Sequence, residues 1–162
     1  MKKLFFVICM MLMSVSTFAQ QGTMTVGAHG ALGLNGNKNF GIGANIGYEV
    51  IDNVRGVAEF DYFLKKDYTT QWLVQLNAEY LFRVADGRFA IYPLAGINLF
   101  GWKTSADIMG VSVSESDSKL GMTVGGGVEF KLIENLALKC EYNYLTQYDG
   151  ASILKFGVVI PF

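Results

Sequence analysis

The chain has 162 residues, with 13 lysines and arginines against 14 aspartates and glutamates, so a formal net charge of -1 leaves no basic footprint for nucleic-acid binding. It is 51% hydrophobic and 14% aromatic, yet no apolar run reaches the roughly 18 residues of a spanning helix. The length suits one domain, and the hydrophobicity must be spread along it with a period that decides the architecture.

The first segment, "MKKLFFVICMMLMSVSTFAQ", places Lys2 and Lys3 before an apolar run from Leu4 to Met13 and ends in small and polar residues. This is the three-part layout of a secretory signal peptide, with cleavage expected after Ala19 to leave Gln20 first. Cys9 lies inside the apolar run behind the bulky Ile8, a poor setting for acylation. Removal of the signal leaves Cys140 alone, so no intramolecular disulfide is available in an oxidising compartment.

From Met24 onward the period is two, which is the signal of strands exposed differently on their two faces. Met24–Leu34 sets Met24, Val26, Ala28, Leu32 and Leu34 against Thr25, Gly27, His29 and Gly33. Phe40–Val50 alternates apolar residues with Gly41, Gly43, Asn45, Gly47 and Glu49, and Val54–Leu64 sets Ala58, Phe60, Tyr62 and Leu64 against Arg55, Glu59 and Asp61. Gln71–Phe82 opposes Trp72, Val74, Leu76, Ala78, Tyr80 and Phe82 to Gln75, Asn77 and Glu79. Phe89–Trp102 is less regular, with Ile91, Pro93, Ala95, Ile97 and Leu99 facing away from Gly96 and Asn98. Leu120–Leu132 and Leu136–Leu145 follow, the second opposing Leu138, Cys140, Tyr142 and Tyr144 to Lys139, Glu141 and Asn143. The eighth strand carries Leu154, Phe156, Val158, Ile160 and Phe162 on one face and Lys155 and Gly157 on the other.

Strands of about ten residues suffice to cross a bilayer when tilted near 45°. The connections "IDN", "VADGR" and "IEN" are short, whereas "NGNKN", "KKDYTT", "TQYDGA" and "KTSADIMGVSVSESDSK" are longer or more polar. Short turns on one side and long loops on the other, with an even strand number, predict a single all-β, eight-stranded, antiparallel up-and-down transmembrane barrel over residues 20–162. A weak internal repeat aligns "IDNVRGVAEFDYF" with "IENLALKCEYNYL", pairing Ile51 with Ile133 and Glu59 with Glu141. Repeated hairpin construction accounts for it.

A soluble lipocalin-like barrel would alternate too, with its apolar face inward. Lipid outside is favoured by the glycines of the polar face, which gain nothing in water but make room in a lumen barely wide enough for side chains. Aromatics near the strand ends, including Tyr48, Tyr62, Trp72, Phe82, Phe130 and Tyr144, suit interfacial girdles. With lipid outside, Arg55, Glu59, Asp61, Glu79, Lys131, Lys139, Glu141 and Lys155 are expected to form a polar network that plugs the lumen.

The tail "KFGVVIPF" resembles the C-terminal assembly signal of bacterial outer-membrane barrels at Lys155, Gly157, Ile160 and Phe162, with Ile160 where that pattern prefers an aromatic. Together with the leader and the eight strands, the chain is similar to the small outer-membrane barrel family typified by the OmpA transmembrane domain, OmpX and the opacity-type proteins. The resemblance implies an outer-membrane address, membrane lipids and the barrel-assembly machinery as partners, and a monomer.

Catalysis and cofactors find little support. His29 is the sole histidine, on the polar face of the first strand with serines mostly in distant loops, and one His and one Cys on opposite faces make no zinc set. No enzyme activity, metal or cofactor is therefore expected. A structural or surface-interaction role leads, ahead of a narrow solute channel. The segment "KTSADIMGVSVSESDSK" alternates again around Asp107, Val111, Val113 and Glu115, so a short hairpin beyond the membrane is expected to meet an extracellular protein or surface ligand.

Overall fold

The structure, a computed structural model, describes residues 22–34, 39–66, 69–108, 111–147 and 150–162, with the backbone alone over 65–66, 105–108 and 111–115. The leader, including the cleavage site after Ala19, lies outside these residues. The strands are β1 (Met24–Gly33), β2 (Phe40–Ile51), β3 (Val54–Lys66), β4 (Thr69–Tyr80), β5 (Phe82–Val84), β6 (Phe89–Ile108), β7 (Val111–Ile133), β8 (Leu136–Leu145) and β9 (Ala151–Pro161). β5 continues β4 beyond Leu81, and both pair with β6, so the nine segments make eight staves.

Every neighbouring pair is antiparallel, and the ladder closes where β1 meets β9, from Thr25 opposite Pro161 to Gly33 opposite Ile153. Met24 and Phe162 extend that seam by exchanging backbone hydrogen bonds of 3.1 and 2.9 Å. Closure satisfies the backbone donors and acceptors that lipid would leave unpaired. The alternation sets the sidedness: Val26, Ile42, Phe60, Leu76, Ile97 and Met122 are exposed outward, whereas Thr25, Arg55, Glu59, Gln75, Asn98 and Lys139 are buried inside. This is the reverse of a lipocalin-like soluble barrel. A continuous outward belt of large apolar side chains has no place in water. Tyr48, Phe82 and Phe130 fall near the end with the short turns, while Tyr62, Trp72 and Tyr144 fall near the other end.

The internal repeat has a structural counterpart. The β2–β3 register shifts between Glu49 and Ile51, and the β7–β8 register shifts between Lys131 and Ile133, so each aligned hairpin carries its irregularity at the same place. In the first, Asn53 adopts a left-handed conformation with φ of 67°, which asparagine tolerates better than most residues.

The long connection differs from its expected form. Residues 103–119 were to be mostly loop with a short hairpin, but β6 and β7 run on as one ladder to Ile108 opposite Val111. The backbone pairing of residues 111–113 continues that of the wall without a register shift. The turn at 109–110 lies outside the described residues.

A closed barrel should remain folded in unheated dodecyl sulfate and migrate faster than the boiled chain, and it should fractionate with membranes. Identical migration before and after boiling would contradict the closed ladder.

Candidate functional site

The inward face offers the densest chemistry. β3 contributes Arg55, Glu59 and Asp61, separated by even numbers of residues and therefore on one face, and β8 contributes Lys139, Glu141 and Asn143 in the same way. β4 adds Gln75 and Glu79, and β9 adds Lys155. Arg55 sits 2.6 Å from Glu79 and 2.7 Å from Glu129. Lys139 lies 3.0 Å from Glu79, 2.8 Å from Glu141 and 3.4 Å from Glu59. Lys155 pairs with Glu59 and, at 2.9 Å, with Asp61. The chain of ion pairs thus crosses the lumen from β3 and β4 to β8 and β9.

Tyr92, which the sequence reading left unassigned, stands at the centre of this belt. Its hydroxyl donates to Glu141 at 3.0 Å, and its ring lies 5.8 Å from the Arg55 guanidinium and 5.4 Å from Lys139 Nζ. The signal was available, because Tyr92 shares parity with Leu94 and Asn98 on β6, but the apolar neighbours Ile91 and Pro93 obscured it. Room for these large groups comes from glycine. A Cβ on Gly43 would collide with His29 Nε2 and Asp61 Oδ1, and one on Gly127 would collide with the Tyr92 hydroxyl.

Seven of the eight residues expected in the network are brought together, and Lys131 is not. It is exposed at the inner mouth, two positions beyond Glu129 on β7, where the lumen opens to solvent. Outward of the belt lies a layer of amides and hydroxyls, in which Thr123 Oγ1 accepts from Gln75 at 3.1 Å and from Asn98 at 2.9 Å. Beyond that, Ala31, Phe63, Leu73, Leu145 and Ile153 form a buried apolar cluster with Phe100 and Ala151 packed against it. The sequence reading expected a polar lumen throughout. Each of these residues occupies the inward parity of its strand, so the correction was legible in their positions but hidden by their hydrophobicity.

His29 is buried with Nε2 2.6 Å from Asp61 Oδ1 and Nδ1 3.2 Å from Asn45 Nδ2, so both ring nitrogens are engaged. Two carboxylate clusters, His29 with Glu59 and Asp61, and Glu59 with Glu79 and Glu141, have ligand-like spacing. Their centres are held by ammonium groups, Lys155 between Glu59 and Asp61 and Lys139 among the three glutamates, which occupy the place of a cation.

In the tail, Lys155 is buried in the belt and Gly157 abuts the Ala28 carbonyl and His29, while Ile160 and Phe162 point outward, the latter 69% exposed. Asp107, Val111, Val113 and Glu115 all lie on the backbone ladder of the β6–β7 hairpin.

The closed antiparallel ladder with its outward apolar wall agrees with the comparisons. In overall shape the chain is similar to the N-terminal β-barrel domain of Pseudomonas aeruginosa OprF, at 19% identity and a TM-score of 0.69, covering 88% of this chain and 98% of that one. It is similar to Ail, the attachment invasion locus protein of Yersinia pestis, at 20% identity and 0.63, covering 88% and 100%. Neisserial surface protein A matches at 19% identity and 0.61, covering 87% and 97%. No curated protein sequence matches the chain. The family description "outer membrane protein beta-barrel domain" matches residues 5–162, and the chain belongs to that family of outer-membrane β-barrels.

Proposed function

We propose that this outer-membrane barrel is a surface-interaction protein whose lumen passes no solute and whose β6–β7 hairpin receives a partner outside the cell. The carrying observation is the overhang of that hairpin. The β7–β8 ladder stops at Thr123 opposite Leu145, with Met122 and Thr146 adding hydrogen bonds of 3.0 Å, whereas the β6–β7 ladder continues to Val111. At ~3.4 Å per residue, Val111 to Gly121 extends roughly 35 Å past β8.

Over 111–116, β6 is the sole strand neighbour of β7 among the described residues, and an edge with its ladder open on one side accepts an added strand. The adhesion reading also draws on Ail, which is named for attachment and invasion. The ion-paired belt and the apolar cluster outward of it support a lumen closed to solutes, and the engaged nitrogens of His29 support a non-catalytic role. The pattern of Lys155, Gly157, Ile160 and Phe162 fits recognition by the assembly machinery.

Replacing residues 105–118 with a short Gly-Ser linker should leave heat-shifted migration intact and abolish binding to cells or immobilised matrix protein. Binding that survives the replacement would move the contact surface elsewhere. In planar bilayers the protein should give no discrete conductance steps; reproducible steps would favour the narrow channel instead.

A further inference from the structure

At the inner end of the lumen, where the short turns and the β1–β9 seam end, the wall leaves a chamber of about 350 Å³. Short turns face the periplasm in this architecture. The floor consists of Arg55, Leu81 and Ala137, all buried, and the rim carries further charge from β2, β5, β7 and the turn before β6.

That charge is unbalanced. Arg55, Arg83, Arg88 and Lys131 line the chamber against only Glu49 and Glu129. Both carboxylates are already engaged, Glu49 by Arg83 and Glu129 by Arg55 at 2.7 Å, and Arg83 is further fixed by donating to Asn53 at 2.9 Å. Arg88 and Lys131 remain without an ion pair among the described residues. They are rooted side by side, because the Lys131 N–H donates to the Arg88 carbonyl at 2.8 Å. Asp52, Asp86 and Glu134, the acids of the neighbouring turns, do not line the chamber.

We propose that this chamber binds a small oxyanion, a phosphate or a carboxylate, from the periplasmic side. A guanidinium fork matches the two oxygens of either group, and the ammonium supplies a movable point charge beside it. The volume lies at the small end of ligand sites, enough for a compact phosphorylated or dicarboxylic molecule. Glu49, Arg55, Arg83, Glu129 and Lys131 share the inward parity of their strands and Arg88 joins them from the turn before β6, so the site faces the lumen and is not a contact for lipid headgroups. The proposal does not depend on the surface role of the hairpin.

The test uses the full mature chain refolded in neutral detergent micelles. Inorganic phosphate and, separately, succinate are titrated against sodium chloride of equal ionic strength, with amide shifts of Arg88 and Lys131 followed by NMR. Saturable shifts are expected, and Arg88→Gln with Lys131→Gln should weaken binding by about tenfold or more, whereas Arg88→Lys with Lys131→Arg should retain it. Both side chains are exposed, and heat-shifted migration verifies that each variant is folded. Binding of both anions supports a general oxyanion site, and binding of one alone assigns the source as phosphate or carboxylate. The proposal is overturned if neither anion exceeds the chloride control, or if the double glutamine variant binds as tightly as the parent.

Discussion

Arg55→Glu should lower the unfolding stability of the barrel by about 3–5 kcal/mol, the range observed when one partner of a buried ion pair is removed. Arg55 is 3% exposed and holds Glu79 and Glu129 together at 2.6 and 2.7 Å. Lys139, the other cation paired with Glu79, already serves Glu59 and Glu141 as well, so it cannot also neutralise Glu129 and a new carboxylate at position 55. A glutamate at 55 therefore adds one like charge while removing the ion that separated the others. Urea unfolding in detergent, read by tryptophan fluorescence, should show the shift. The swap Arg55→Glu with Glu79→Arg should recover much of it, because the pair is restored with reversed polarity. An unchanged midpoint in the single variant would show that Arg55 does not hold the belt together.

The same belt shows how much of the molecule the sequence made legible. Alternation separated the two faces of each strand, the inward glycines and the aromatics near the strand ends indicated which face meets lipid, and the strand count with its short and long connections gave the eight-stave up-and-down barrel. Glu59, Asp61, Glu79, Lys139, Glu141 and Lys155 could be grouped because charged residues at inward parity in a narrow barrel must meet one another. Which cation meets which carboxylate was not legible, since that depends on the stagger between strands distant in the chain, as in the 2.9 Å contact of Lys155 with Asp61.

Polarity misled where parity would have served. Phe63, Leu73, Leu145 and Ile153 point inward with the charged residues, and they are apolar because a layer of lumen sealed on all sides rewards packing as well as pairing. Lys131 failed in the opposite sense: its parity was correct, but it is the last residue in regular register before the shift between Lys131 and Ile133, close to the end of the wall, where a charge is solvated. The hairpin was underestimated because serines and acids read as loop, although a strand pair outside the membrane can be polar on both faces.

Gly96→Val should be among the most damaging single changes in the wall. Gly96 lies on β6 opposite Asn77 of β4 and Thr123 of β7, and a Cβ built there would collide with the Leu76 carbonyl oxygen and meet the Asn77 Cα at 2.7 Å. Both obstacles are backbone, so relief requires β4 and β6 to separate and lose ladder hydrogen bonds. Overpacking typically costs ~1–3 kcal/mol, and a collision with main chain in a closed ring belongs at or above the upper end, because a barrel cannot yield at one seam without opening. Gly125→Val on β7, whose Cβ would strike the Tyr142 carbonyl, should behave alike. Gly33→Ala supplies the contrast: it shares the inward parity, yet its nearest neighbour is the Asn39 carbonyl oxygen at 3.6 Å, an ordinary contact. With space available, the lost backbone freedom of the unfolded chain should make that alanine neutral or stabilising by about 0.5–1 kcal/mol. Heat-shifted migration and urea midpoints of the three variants separate the cases. Equal stability of Gly96→Val and Gly33→Ala would mean that the β4–β6 seam is not as close as the geometry places it.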